Sequence, residues 1–495
     1  MPADVEVTGN TRRDVLDDEA DSPRQPWYLV MVSSLGGQDG RLVTGDEVEP
    51  QLQTWSRLSP ELEICPVTPY SIGLAARSGS PSKEVCPMDD TTVKAKMLSV
   101  QRAIAKVMDA AEPLRGVETV PLTDALGRVL AEDVLALVTV PPADNAAMDG
   151  YALCTADAIA HGGTLPVSGT VPAGAEPGRL QPGTAVRIFT GAPIPAGADT
   201  VVMQEVCARE GDLVTLPADL HTGSHIRPAG EDVCAGDSIL TAGMRLQPQD
   251  LALAASGGHA GLKVRPRLRV AVLATGDELV EPGQPLPPGK IYNSNSFALV
   301  GMLQNLGCQV QCRRIVADSL PVTMDALVEA AASTDLVITS GGVSVGDEDH
   351  VKQAVERLGS MDLWRVAIKP GKPLAMGRVG RTPFLGLPGN PVSLFVTFCL
   401  FGRPMVLRLQ GVSEVLPQEL LADADFSLRA DQRTRYLRGR LNVDGPGMRV
   451  SLFPHQGSGV MSSTIWANVL VKVPAGTGVV PGDVVSVLRY SDLLH

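Results

Sequence analysis

The sequence predicts a multidomain protein of the α/β plus β class, with a three-layer α/β domain, a small β domain inserted ahead of it and a C-terminal β domain. Three observations predict it. From Leu268 to about residue 412, apolar strand-like runs alternate with helical periods, the pattern of a parallel sheet covered on both faces. From about 164 to 238, short alternating pieces such as TAVRIF, TVVMQE and LVTLP are broken by Gly and Pro. After 412 come four or five further short strands. The 495 residues suffice for two to four domains at about 100 to 200 residues each.

Residues 1–96 form a leader that opens acidic and runs through Pro and Ser without a sustained period. It is expected to be mostly disordered, with Leu29 to Val32 as one short strand and Leu74 to Arg77 as one helical turn. Met97 opens MLSVQRAIAKVMDAAEPL, whose apolar residues recur at helical spacing. The leader is thus either an appendage or a stretch ahead of a true start near Met97. PLTDALGRVLAEDVLA reads as a second helix, and PPADNAAMDGYAL as a loop marked by its proline pair and Asp-Gly. GMRLQPQDLALAASGG returns to a helical period and ends on a glycine pair. This gives a linker domain from 97–145 and 240–266, an inserted β domain over 146–239, an α/β domain over 267–412 and a β domain over 413–495. Within the α/β unit, RVAVLATGDE, QVQCRRIVAD and DLVITSGG read as strands, with helices over 296–306, 320–333 and 349–358.

Composition narrows the function. With 42 basic and 55 acidic side chains the net charge is −13, a field that repels polynucleotides. No stretch offers the roughly 18 uncharged apolar residues that span a bilayer, and the acidic start lacks a signal peptide's basic and apolar regions. A cytoplasmic protein is expected, without nucleic-acid or membrane partners. The eight cysteines are scattered without a CxxC pair, and His221 with His225 has no partner at zinc spacing. No GxGxxG, P-loop or GxSxG is present.

The polar clusters fall where an open sheet binds ligands, past the carboxyl ends of its strands. TSGGVSVGDEDH ends a strand in Gly341 and Gly342, which let backbone N–H groups approach an anion, and continues through Ser344 to Asp347, Glu348 and Asp349. Three adjacent carboxylates repel unless a cation sits among them, although acidic residues also simply favour a helix start, the preferred reading for Glu348. Asp277 and Glu278 follow the first strand and Asp318 the next. Jointly they have the layout of a Mg²⁺ site serving a phosphate substrate; singly each reads as a turn residue or cap. Opposite charge comes from Arg365, Lys369 and Lys372 in RVAIKPGKP, and Pro388 and Pro391 stiffen LPGNP into a loop with exposed N–H groups. Asp149 before Tyr151, Thr190 in FTGAPIPAGAD, and Arg227, Glu231 and Asp232 in IRPAGEDV lie outside the α/β unit. They would meet it only across a domain or subunit boundary.

Taken together, PPADNAAMDGYAL, RIFTGAPIPAGADTVVMQE, IRPAGEDV, LATGDEL, GKIYNSNS, DLVITSGGVSVGDEDHV, VAIKPGKP and GLPGNPVS closely resemble the molybdopterin molybdenumtransferases, the MoeA and gephyrin E-domain family. The resemblance runs from about Met97 to the C-terminus in the family's order and spacing, and the leader has no counterpart in it. It implies a molybdopterin-binding type of α/β domain in an elongated four-domain subunit, paired as a homodimer, with the site between one subunit's α/β domain and the other's β domain. It implies cleavage of adenylated molybdopterin with a divalent cation, usually Mg²⁺, and transfer of molybdate to the dithiolene, giving molybdenum cofactor and AMP.

Carried over by motif, the important acids are Asp149, Asp232, Glu278, Asp318 and Asp349. Metal binding goes to Asp318 and Asp349 with support from Glu278 and Asp277. Thr190, Ser294, Arg365, Lys369, Pro388 and Pro391 form the oxyanion and pterin pockets, joined by Gly341, Gly342, Ser344 and Lys372, with Arg438 and Ser458 entering from the C-terminal domain. Ser319 departs from the pattern, because many members carry a second acid after Asp318. Contacts with a molybdopterin adenylyltransferase and with apo-molybdoenzymes are the partners such an activity implies. Two rivals stand beside it: the related adenylyltransferase, whose glycine loop continues differently from Val343, Ser344 and Val345, and a scaffold using the same fold to bind a partner.

Overall fold

The computed structural model describes residues 28–34, 37–43 and 97–494, apart from 177, 344–348 and 445–446. The chain divides into two compact units at Asp90. In the first, Tyr28–Ser34 and Gly37–Val43 form an antiparallel hairpin that contains the strand expected at Leu29 to Val32. The expected turn at Leu74 to Arg77, and the expected disorder around it, lie outside the described residues.

The second unit begins with helix Val100–Ala110. Ser99 caps it by accepting the Arg102 N–H at 3.3 Å, and Val100, Ala103 and Val107, spaced three and four apart, turn one face inward. That face packs in the same core as the α/β sheet and the long helical run Pro391–Leu409. The helix expected over PLTDALGRVLAEDVLA does not form. Beyond one 3₁₀ turn at Leu122–Asp124, Gly127 takes a left-handed φ of 70°, and Val129 and Leu130 bridge to Arg245 and Val264. The apolar residues there serve several short cross-chain pairings instead of one helical face, which is why periodicity misreads them. Strand Glu118–Pro121 pairs with Gly261–Val264, and helix Pro248–Ser256 forms where GMRLQPQDLALAASGG places it.

The inserted domain is a six-stranded sheet in the order Ala208–Glu210, Leu213–Thr215, Thr164–Val171, Ala185–Ile188, Gly150–Leu153, Thr200–Met203, with apolar clusters on both faces.

The α/β domain has three layers. Its sheet runs Gln309–Val316, Arg269–Thr275, Leu336–Ser340, Thr382–Leu387, Pro373–Val379, Gly359–Arg365. The first four strands are mutually parallel; the fifth, Pro373–Val379, runs antiparallel to both its neighbours and the sixth returns to the common direction, so the sheet is mixed where the alternating pattern predicts a parallel one. All five residues of Leu336–Ser340 are buried, as a central strand covered on both faces requires. Helix Asn295–Asn305 and the run Pro391–Leu409 pack on one face. Helices Leu320–Ser333 and His350–Leu358 pack on the other. Pro391–Leu409 is apolar and long enough to cross a membrane by composition, with mean hydropathy 1.6, but 94% of that window is buried inside the protein and it carries Arg403 and Arg408.

The C-terminal domain closes on itself. Strands Thr434–Asp444, Gly447–Leu452, Leu420–Ala424, Val484–Arg489 and Val469–Val473 pair in sequence, and the last returns to the first, giving a barrel filled by Val450, Val469, Val471 and Val487. A short strand of the α/β domain, Ile368–Lys369, adds in parallel to Thr434–Arg435 and ties the two domains together.

Candidate active site

The four parallel strands deliver four loops to one edge: Gly276 to Glu278, Asp318, Gly341 to Val343, and Pro388 to Asn390. Asn295, at the start of its helix, clasps two of them, donating from Nδ2 to Ser340 Oγ at 2.9 Å and to the Gly389 carbonyl at 2.7 Å. The barrel approaches the same edge through the loop Gln456 to Ser458, where the Ser458 carbonyl accepts the Val392 N–H at 2.9 Å. Between the loops Gly341 to Val343 and Pro388 to Asn390 and the barrel lies a cavity of about 600 Å³, with Glu278 and Asp318 outside its lining. The α/β strand ends contribute Gly341, Gly342, Val343, Pro388, Gly389 and Asn390. The segment Lys369 to Pro373 forms a second wall, and Arg433, Gln456, Gly457 and Ser458 come from the barrel.

Its electrostatics are cationic. Lys369, Lys372 and Arg433 line the cavity, and among the described residues a carboxylate pairs with them: Asp431 Oδ2 accepts from Lys369 Nζ at 3.1 Å while its Oδ1 accepts the Arg433 N–H at 3.1 Å. The Lys369 hydrogen bond, then the Arg433 backbone N–H, hold the Asp431 carboxyl below the usual carboxylate range. A cavity with glycine-bounded backbone, three cations and a polar barrel loop suits a compact oxyanion attached to a larger organic body.

Of the residues singled out in the sequence, Gly341, Gly342, Lys369, Lys372, Pro388 and Ser458 meet on this wall. Pro391 sits one position beyond it, as the first residue of its helix. Arg438 does not line the cavity. It is wholly buried behind the barrel loop, donating to Ser463 Oγ at 2.9 Å and to the Gly457 carbonyl at 3.1 Å, and its guanidinium shapes the loop from the back. Arg365 is exposed at the end of the hairpin edge, opposite Pro373, and is not among the lining residues. Ser294 is exposed ahead of helix Asn295–Asn305; Ser344, Asp347 and Glu348 lie outside the described residues.

The acids separate into three places. Asp277 Oδ1 accepts the Asp318 N–H at 2.9 Å, joining the ends of two neighbouring strands. Glu278 folds its carboxylate back over Gly276, where any Cβ would collide with it. Asp349 is buried and caps helix His350–Leu358 by accepting the Lys352 N–H at 3.1 Å. Asp149 and Thr190 meet in the inserted domain, where Asp149 Oδ1 accepts both the Thr190 N–H at 2.8 Å and its hydroxyl at 2.7 Å. Asp232 is exposed in the same domain, its N–H bonded to the Val140 carbonyl. Among the described residues no three His, Cys, Asp or Glu side chains form a metal cluster, so Glu278, Asp318 and Asp349 are not gathered into one cage. Glu278 and Asp318, hard oxygen donors at adjoining strand ends, fit a Mg²⁺ ion that takes one or two carboxylates and completes its shell with phosphate and water.

Arg433, Asp431, Gln456 and Asn295 were not singled out in the sequence. RADQRTRY shows a basic run that could flag Arg433 as surface charge, but its arrival at the α/β domain depends on the pairing of Ile368–Lys369 with Thr434–Arg435.

Comparison with known proteins decides the family. Residues 98–258 match the MoeA N-terminal region (domains I and II), 271–408 a probable molybdopterin binding domain, and 422–490 the MoeA C-terminal region (domain IV). A molybdopterin molybdenumtransferase of Haemophilus influenzae is 38% identical over 404 residues, covering 80% of this chain and all of that protein. The chain belongs to the molybdopterin molybdenumtransferase family. A second such enzyme, molybdopterin molybdenumtransferase 2 of Mycobacterium tuberculosis, is 40% identical over 370 residues, 72% of this chain and 89% of that one. The crystal structure of the molybdopterin biosynthesis MoeA protein from Pyrococcus horikoshii OT3 superposes with a TM-score of 0.68 at 28% identity, covering 80% of this chain and all of that one. The described cavity of this family member thus lies between the segments matched by the molybdopterin binding domain and by domain IV.

Proposed function

We propose that the protein inserts molybdenum into molybdopterin, and that it does so by releasing AMP from adenylated molybdopterin in a Mg²⁺-dependent step while molybdate passes to the dithiolene. Membership in the molybdenumtransferase family supports the insertion. The observation that carries the chemistry is the cavity itself, where Lys369, Lys372 and Arg433 face a space of about 600 Å³ bounded by the Gly341–Gly342 and Pro388–Asn390 loops.

Molybdate is a dianion in a protein of net charge −13, so a local excess of cations is needed to hold it. Lys369 and Lys372 supply point charges on a segment pinned between two domains, and Arg433 supplies a planar donor fork. The N–H groups of Gly342 and of the Gly389–Asn390 turn offer further donors to phosphate or pterin oxygens, the Gly341 N–H being taken by the Leu387 carbonyl. Asp318 and Glu278 are the residues that would hold Mg²⁺, with Asp277 fixing the Asp318 loop; Mg²⁺ bound there supplies charge neutralisation at the pyrophosphate. Asp349 then acts through the helix it caps. Asp149, Thr190 and Asp232 complete the site from the inserted domain of a second copy in a homodimer, a reading that rests on the family resemblance.

The test is formation of active cofactor. Full-length protein, adenylated molybdopterin, molybdate and Mg²⁺ are incubated with a molybdenum-free apo-molybdoenzyme whose activity reports insertion. Activation by the wild-type chain and its loss in Asp318→Ala is the expected result; a folded wild-type protein that activates nothing sinks the transferase reading in favour of a binding scaffold.

A further inference from the structure

Asp431 does not line the cavity, but it stands against two residues that do. Its carboxylate is held on two sides, by the Arg433 N–H at 3.1 Å and by Lys369 Nζ at 3.1 Å, and the Arg433 Nε is 4.0 Å from the same Oδ1. The Arg433 guanidinium is steadied by the Ile368 carbonyl, 3.4 Å from Nη1, so both cations are anchored where Ile368–Lys369 pairs with Thr434–Arg435. The acid arises from the barrel, 62 residues from Lys369, and that pairing brings the two together. Among the described residues, Lys369, Lys372 and Arg433 line the cavity and Asp431 stands against two of them.

We propose that Asp431 is a built-in competitor for the oxyanion: its carboxylate holds the Lys369 ammonium until a doubly charged tetrahedral anion takes that ammonium over, with Arg433 as the second cation. The proposal rests on the reading that this cavity takes molybdate, and adds to it a device that sets how tightly the anion is held. A carboxylate already in place offsets part of the attraction, so every incoming anion bears the cost of the broken ion pair, and the doubly charged one, which gains more from each cation, binds in spite of it. It also limits how tightly molybdate is held, which keeps the pocket reversible. The lysine is half-exposed and the acid more enclosed, so the ammonium is the partner free to swing from carboxylate to ligand.

The experiment is calorimetric binding of molybdate, and of perrhenate as a monoanion of similar shape, to the full-length protein at low ionic strength, with no turnover involved. Asp431→Asn keeps an acceptor for the Arg433 N–H and removes the charge. It is expected to bind molybdate about threefold to fivefold more tightly, the scale of a partly exposed ion pair, with perrhenate also rising. Arg433→Gln is expected to weaken molybdate about tenfold. In a Lys369→Met background, Asp431→Asn should lose most of its effect, because the competition runs through the ammonium. Weaker or unchanged molybdate binding in Asp431→Asn, with its melting temperature intact, overturns the proposal and leaves Asp431 as a mere support for Lys369. Perrhenate binding as strong as molybdate in the wild type overturns it equally. Because these readings need neither AMP release nor cofactor formation, failure of the transferase reaction and failure of this proposal are separately visible.

Discussion

At the scale of single residues, two groups carry direct consequences of their surroundings. Asp149 accepts the backbone N–H of Thr190, then its hydroxyl, and these bonds hold its carboxyl below the ordinary value. A carboxyl depressed in the folded state contributes stability that is present above its unfolded value and is lost as pH falls through the folded one. The Thr190 amide resonance is therefore expected to titrate with a midpoint below 3.8, and a midpoint at or above that value contradicts the assignment. Burial pushes the thiols of Cys308 and Cys399 up to about 12, whereas Cys234 is exposed. Alkylation of the native protein at pH 8, read by mass spectrometry, should label Cys234 and spare both buried thiols; labelling of either without unfolding contradicts the packing. Residue roles were legible only as far as local chemistry reaches. The glycine turn at Gly341 and the prolines of LPGNP announce themselves in the sequence. Arg438 does not reveal that it works from behind a loop, because its partners Ser463 and Gly457 meet it only through the barrel's closure.

At the scale of elements, the segment Lys369 to Pro373 is the piece on which the cavity depends. Its Gly371 adopts φ 98°, and a Cβ there would press on Thr397 Cγ2 at 2.5 Å. Gly371→Ala is expected to cost about 1 to 3 kcal/mol from left-handed strain and crowding, lowering the denaturation midpoint and weakening molybdate binding together. Unchanged stability would show that the loop is not pinned as described. Strands and helices of the α/β domain could be read in advance because their apolar patterns are local: helix Leu320–Ser333 follows a helical period and strand Leu336–Ser340 belongs to a short apolar run ending in a glycine pair. The segment after Pro121 could not, since its apolar side chains answer to Arg245 and Val264, well over a hundred residues away. Nor could the reversed strand Pro373–Val379, because its direction is set by its connection to Gly359–Arg365 and not by its own pattern.

At the scale of the whole molecule, an acidic chain brings three cations to one junction, where the α/β domain and the barrel share a strand pairing and a capped helix start. That junction makes the cation-lined cavity a property of two domains, which is why neither domain's motifs alone disclose it. The leader 1–96 lies ahead of the matched family segments, which begin at residue 98, and a chain starting at Met97 should retain the chemistry in full. The most direct measurement is the rate of AMP release from adenylated molybdopterin with Mg²⁺, with and without molybdate, for the full chain, the chain starting at Met97, and Lys369→Met. Molybdate-stimulated release in the first two, lowered about 10- to 100-fold in Lys369→Met, is the expected result. Release that ignores molybdate, or that survives intact in Lys369→Met, would contradict the assignment of this cavity as the place where molybdate is held.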